Sequence, residues 1–142
     1  MRIRVSTYRS IERNAPITAV LGSAAMILAM FLGWFRSGTR MRNSFEMFRI
    51  PQQLGLEGFT TIRVLWFLMP VMAAGILGFV LLRRNGPATL LSALQGLIGL
   101  TIGIIVLFSD LDTGLGPFLA SGSGLVLLAS AAGMLLTAGN PS

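Results

Sequence analysis

The stretch Ala88-Thr89-Leu90-Leu91-Ser92-Ala93-Leu94-Gln95-Gly96-Leu97-Ile98-Gly99-Leu100-Thr101-Ile102-Gly103-Ile104-Ile105-Val106-Leu107-Phe108 holds 21 residues and no charge. A helix needs about 20 apolar residues to cross a hydrocarbon core about 30 Å thick, so this run is long enough to span a membrane. Three other stretches share its character, Pro16–Phe35, Val64–Leu82 and Phe118–Leu136, of 20, 19 and 19 residues. The 11 basic and 5 acidic residues of the 142-residue chain all fall outside these runs. The sequence therefore predicts an all-α, polytopic membrane protein, a single four-transmembrane-helix bundle over residues 1–142. Its spans lie near 16–35, 64–82, 88–108 and 118–136, with one longer loop over 36–63.

Composition narrows the chemistry. The chain is 54% hydrophobic and 11% charged, against about 45–50% and 25% in an ordinary soluble domain. It has no cysteine and no histidine, which removes disulfides, thiolate chemistry, Cys/His zinc sites and every His-based triad. The longest loop, 28 residues, is too short for a soluble catalytic domain. The net charge of +6 is carried by arginines flanking the spans, a pattern of membrane topology rather than of nucleic-acid binding. No span contains an ionisable residue, so the usual marks of an ion path or proton relay are missing from the spans. Asp110 and Asp112 stand at the i, i+2 spacing with which calcium loops begin, but the remaining EF-hand ligands do not follow. They read as turn and capping residues ahead of Pro117 at the start of span four, and neither a metal nor a cofactor is expected.

Orientation follows from arginines close to span ends. The turn Arg83-Arg84-Asn85-Gly86-Pro87 sets two arginines directly against two spans, while the opposite short turn around Asp110 has none. This predicts cytoplasmic N- and C-termini. With 20 apolar residues, span one exceeds the about 7–15-residue core of a signal peptide and is expected to stay as an uncleaved anchor. Trp34, Phe35, Trp66, Phe67, Phe108 and Phe118 close or open spans at one interface, where aromatic side chains anchor membrane proteins.

Within the spans, small residues dominate the signal. Ser92, Gly96, Gly99 and Gly103 are spaced 4, 3 and 4 apart, which puts them on one helix face and lets a neighbouring backbone come close. Ala25, Ala29 and Gly33, Ala74 and Gly78, Ala120 and Gly124, and Ala129 and Gly133 repeat the small-xxx-small spacing in the other spans. Such faces serve either packing inside one bundle or assembly with a second copy or another membrane protein. Gln95, one turn from Ser92 and from Gly99, should face protein. It is read as an interhelical hydrogen bond or, with Ser92 and Thr101, as the lining of a path. Pro70 should kink span two.

The 36–63 loop concentrates basic charge. Asn43 and Glu46 have capping-box spacing, which predicts a short helix ended by Pro51, with Phe45, Phe48 and Ile50 turned to the bilayer and the loop lying flat on it. Arg36, Arg40, Arg42 and Arg49 would then form a cationic surface for lipid phosphates or a partner protein, with Trp34 and Trp66 as further lipid or partner contacts. Arg2, Arg4, Arg9 and Arg13 form a matching patch toward anionic lipid on the other side. Glu46, Glu57, Asp110 and Asp112 are the only acids on the loop side, and any enzymatic chemistry there would have to use them.

Three segments also carry a resemblance. Phe31-Leu32-Gly33-Trp34 with Asn43-Ser44-Phe45-Glu46-Met47, Ile62-Arg63-Val64-Leu65-Trp66-Phe67-Leu68-Met69-Pro70, and Thr113-Gly114-Leu115-Gly116-Pro117-Phe118 resemble small four-span membrane proteins of actinobacteria. The resemblance implies a multi-pass protein of a bacterial plasma membrane and transfers no activity. The resulting expectation is a non-enzymatic accessory or scaffold subunit of a membrane assembly, with anionic lipids, another membrane protein or its own copies as partners. A small homo-oligomeric channel or lipid carrier is the alternative.

Overall fold

The computed structural model describes residues 2–50 and 60–139, with residues 2–6 and 8 given by their helical backbone. Glu57 and Pro51, and the side chains of Arg2 and Arg4, lie outside the described residues. Among the described residues, eight elements are α1 (Arg2–Phe31), β1 (Gly33–Ser37), β2 (Arg40–Asn43), α2 (Ser44–Met47), α3 (Thr60–Phe67), α4 (Met69–Leu81), α5 (Asn85–Leu107) and α6 (Leu115–Ala138). Among the described residues, four helical segments are long and apolar enough to cross a membrane: Arg9–Phe31, Thr60–Leu81, Asn85–Leu107 and Leu115–Ala138. The chain is thus an all-α bundle of multi-pass membrane type.

The boundaries correct the sequence reading in spans one and two, which begin at Arg9 and Thr60 rather than Pro16 and Val64 and so contain Arg9, Glu12, Arg13 and Arg63. Span one ends at Phe31 rather than Phe35, because residues 33–37 leave the helix to form β1. At its other end α1 runs straight through Pro16, although a proline there has no N–H to offer the carbonyl of Glu12. Span two is interrupted: Leu68 separates α3 from α4, and Pro70 occupies the first turn of α4. Proline tolerates that position because first-turn N–H groups have no helical partner.

The spans form a ring in which α6 packs between α1 and α5, and α4 between α5 and α1. Span two is the least buried of the four. In lipid, helices gain little by hiding apolar surface from each other, so association relies on close packing. The glycines provide it. A Cβ added to Gly96 would lie 2.8 Å from the carbonyl oxygen of Gly124, and one on Gly124 would lie 2.7 Å from the carbonyl oxygen of Gly96. A Cβ on Gly103 would press on the Pro117 carbonyl oxygen at 2.9 Å, and one on Gly99 would overlap the Met26 side chain of α1. Gly133 approaches α1, where its Cβ would stand 3.1 Å from that of Ala15. Ser92, Gly96, Gly99, Gly103 and Gly124 are all buried. By contrast nothing lies within 4 Å of a Cβ on Gly78, and Ala74 is exposed.

The short connections differ in character. After α4 the amide of Arg84 donates to the carbonyl of Phe79 (2.8 Å) and that of Arg83 to Val80 (3.0 Å), the paired bonds of a Schellman ending. Arg83 takes the left-handed position at φ 54°, where glycine is the usual occupant. Before α6, the N-cap Gly114 carries no side-chain cap bond, so Asp110 and Asp112 do not cap that helix as the sequence led us to expect.

Gly124→Ala should lower bundle stability by about 1–3 kcal/mol, the usual cost of overpacking, because the methyl group meets backbone that a side-chain rotation cannot move. Gly78→Ala should change it by less than about 1 kcal/mol, with the sign set by helix propensity. Thermal unfolding in detergent, followed by circular dichroism, measures both.

Candidate functional site

Within the 36–63 loop, the described residues 36–43 are strand and turn that pack on the bundle. Residues 33–43 form an antiparallel hairpin with Ser37 paired to Arg40 and Arg36 to Met41, closed by the two-residue turn Gly38-Thr39. Gly38 has φ +64°, as primed hairpin turns require. The other edge of β1 is also occupied. The amide of Arg36 donates to the carbonyl of Asp112 (2.8 Å), that of Gly114 donates to the carbonyl of Trp34 (3.1 Å), and Phe35 bridges Thr113. The turn between α5 and α6 thus serves as a third strand and ties the hairpin to the bundle.

A β-bulge at Trp34 explains why this hairpin faces inward. The register slips between Gly33 and Phe35, so two consecutive residues, Trp34 and Phe35, are both buried, where a regular strand would point one of them outward. Trp34 stacks edge to face on Trp66, with centroids 5.0 Å apart and an interplanar angle of 82°. Phe48 adds a ring contact to Trp66 at 5.8 Å, and Phe45 contacts Phe31 and Phe67 at 5.3 and 5.4 Å. Glycine is needed at Gly116, because a Cβ there would overlap the Trp34 ring.

The polar atoms of this cluster are closed into a network. Trp34 Nε1 donates to the carbonyl of Ala29 (2.7 Å), Trp66 Nε1 donates to Ser44 Oγ (3.0 Å), and Ser44 Oγ donates to the carbonyl of Met30 (2.7 Å). Met30 lies in the last turn of α1, whose carbonyls lack helical partners. Ser44, at the start of α2, is fully buried. Asn43 caps that helix through a complete capping box with Glu46, and the helix ends at Met47, before Pro51 is reached.

Both tryptophans are corrections. Trp34 and Trp66 have no exposed surface, so neither is a lipid or partner contact; each has a hydrogen-bond acceptor in the interior that competes with the interface. Phe48, expected to face the bilayer, is also buried. Phe31, Phe67, Phe108 and Phe118 remain exposed at this end of the bundle.

The four loop arginines divide into two kinds. Arg36 Nε lies 3.4 Å from Asp112 Oδ2, and Arg40 Nη2 lies 3.3 Å from Glu46 Oε1. These exposed pairs are each worth less than about 1 kcal/mol, yet they engage both Asp112 and Glu46. Arg49 is exposed. Arg42 is half-buried, and its Nε is shielded from water without a hydrogen-bond partner among the described residues.

A second polar cluster lies in the bundle interior. Gln95, fully buried, accepts from Ser23 Oγ of α1 at 2.7 Å and donates through Nε2 to the carbonyl of Met69 at 3.4 Å, linking α5 to α1 and to the start of α4. Ser92 is also fully buried, and its Oγ has no partner among the described residues. Thr101 is exposed on another face of α5, so the three residues do not line one surface. At the opposite end of the bundle an open groove of about 340 Å³ runs between Ile11, Ala15, Val126, Ala129 and Gly133. The nearby hydroxyls of Thr18 and Ser130 donate to carbonyls of their own helices. No group of three or more acidic, His or Cys residues converges among the described residues.

The spacing signals do not reach Ser44, Ser23, Phe48 or the bulge at Trp34. Ser37-Gly38-Thr39-Arg40 is a two-residue turn signal that would have pointed to the hairpin. Comparison of the chain with protein-family models, with curated proteins and with solved structures finds no match.

Ser44→Ala should cost about 1–3 kcal/mol by leaving the Trp66 indole N–H buried and unpaired, and should accelerate amide hydrogen exchange in residues 33–47 before the spans are affected. Gln95→Leu should destabilise the bundle by about 0.6–2 kcal/mol, read as a lower unfolding temperature with the hairpin's exchange unchanged.

Proposed function

We propose that this chain is a non-enzymatic, multi-pass protein of a bacterial plasma membrane and acts as an accessory or scaffold subunit. It engages lipid or a partner protein through the arginine-bearing hairpin. The hairpin lies outside the cytoplasm and both termini within it, the orientation favoured by Arg83 and Arg84 beside two spans. The observation that carries this reading is the hairpin's attachment. It is held to the bundle by the Trp34, Ser44 and Trp66 network and by the third strand at 112–114, while it carries Arg36, Arg40 and the half-buried Arg42, with Arg49 on the turn after α2. A rigid cationic edge of this kind suits recognition, because little conformational entropy is lost when it is engaged. Glu46 and Asp112, two of the acids available for chemistry on this side, are held in ion pairs, which fits a binding role better than acid–base work.

The alternative, a homo-oligomeric channel or lipid carrier, has less support. Its polar lining would need Ser92, Gln95 and Thr101 on one surface, and the first two are enclosed within a single copy while the third is on a separate, exposed face.

Affinity purification of the full chain from its native membrane, followed by mass spectrometry, tests the proposal. A second membrane protein should co-purify with the wild type, and Arg36, Arg40, Arg42 and Arg49 changed together to Gln should reduce its recovery about tenfold, the equivalent of about 1.4 kcal/mol. Recovery of a homomeric ring with no other protein would overturn it.

A further inference from the structure

Among Arg36, Arg40, Arg42 and Arg49, Arg42 has an Nε that is withdrawn from water and has no hydrogen-bond partner among the described residues. It stands on β2 opposite Phe35, on the same face of the hairpin as that buried ring. The neighbouring acids do not serve it, since Glu46 is engaged by Arg40 and by the Asn43 amide, and Asp112 by Arg36. A desolvated N–H on a charged group without an acceptor is costly, and the cost is removed when an anionic oxygen enters. Guanidinium offers such an anion two parallel N–H groups, a geometry that matches phosphate.

The depth of Arg42 identifies the source of the anion. At this end of the bundle the candidate spans end at Phe31 and Leu107 and begin at Thr60 and Leu115, which places the edge of the hydrocarbon there. The hairpin begins two residues beyond Phe31, which sets β2 at the level of lipid headgroups. Arg49, exposed on the turn after α2, adds a second positive charge on the same small cap.

We infer that Arg42, assisted by Arg49, is a binding site for the phosphate of an anionic phospholipid headgroup. The inference rests on the proposed recognition role of the hairpin and names the ligand class that one of its arginines takes. An acidic side chain of a partner protein would offer similar oxygens, but not at a depth fixed by the bilayer itself.

The test uses the purified full chain in nanodiscs of phosphatidylcholine, with and without phosphatidylglycerol. Native mass spectrometry should show phosphatidylglycerol retained in preference to phosphatidylcholine by about tenfold, in line with charge-assisted bonding. Arg42→Gln should abolish the preference. Arg42→Lys should abolish most of it, since it keeps the charge and the stem but removes the Nε donor. Arg84→Gln, the same change of charge at the other end of the bundle, should keep it. The Arg42 Nε–Hε resonance should shift with phosphatidylglycerol and stay fixed with millimolar inorganic phosphate. Equal losses in Arg42→Gln and Arg84→Gln would reduce the effect to overall charge and overturn the site. A shift with inorganic phosphate in phosphatidylcholine alone would overturn the lipid as its source. Because no partner protein is present, this outcome is independent of the co-purification experiment. A missing partner would leave a retained lipid standing, and an absent lipid preference would leave a captured partner standing.

Discussion

Two helices in hydrocarbon do not attract one another by excluding solvent, so a bundle there depends on how closely its backbones can approach. In this chain the approach is set at Gly96 and Gly124, where each glycine faces the other's carbonyl oxygen at a distance that leaves no room for a methyl group. With α5 and α6 fixed there, Gly99 accepts Met26 of α1, and Gln95, one turn away, reaches Ser23 on α1 and Met69 at the start of α4. The polar clasp is possible only because the glycine seam draws the helices together. Ring order follows from the same contact, since α6 is held between α5 and α1.

The hairpin cap uses a different physics. Here aromatic packing and side-chain hydrogen bonds, rather than close backbone approach, make the contacts. The Trp34–Trp66 pair, with Phe45 and Phe48, joins β1 and α2 to the ends of spans one and two. Ser44 is the hinge of its polar balance, since one hydroxyl accepts from an indole and donates to a terminal helix carbonyl. A single side chain thereby links three segments that are distant in sequence.

The spans were legible because length and absence of charge are sufficient conditions for the bilayer. The glycine face of α5 was legible too, since 4, 3, 4 spacing can describe only one side of a helix. The cap was not. A tryptophan at the end of an apolar run has the same signature whether it meets headgroups or a protein interior, and the acceptors that decide the matter, the Ala29 carbonyl and Ser44 Oγ, cannot be read from spacing. A bulge hides strand alternation, so Trp34-Phe35 read as the end of a helix. Nor could the pairing of Arg36 with Asp112, 76 positions apart, be seen before the turn between α5 and α6 was known to lie along β1. The arginines were visible as a class, but which of them remain without an acid depends on that tertiary pairing.

Arg83 carries a consequence of another kind. An L side chain in the left-handed region sacrifices about 1 kcal/mol that glycine would keep, and the paired bonds to Phe79 and Val80 hold it there. The same residue is half of the arginine pair that flanks two spans, and flanking arginines bias how a membrane chain is threaded. Backbone strain and insertion therefore place opposite demands on position 83. A screen for resistance to unfolding would enrich glycine at position 83, while a screen for uniform insertion would retain arginine.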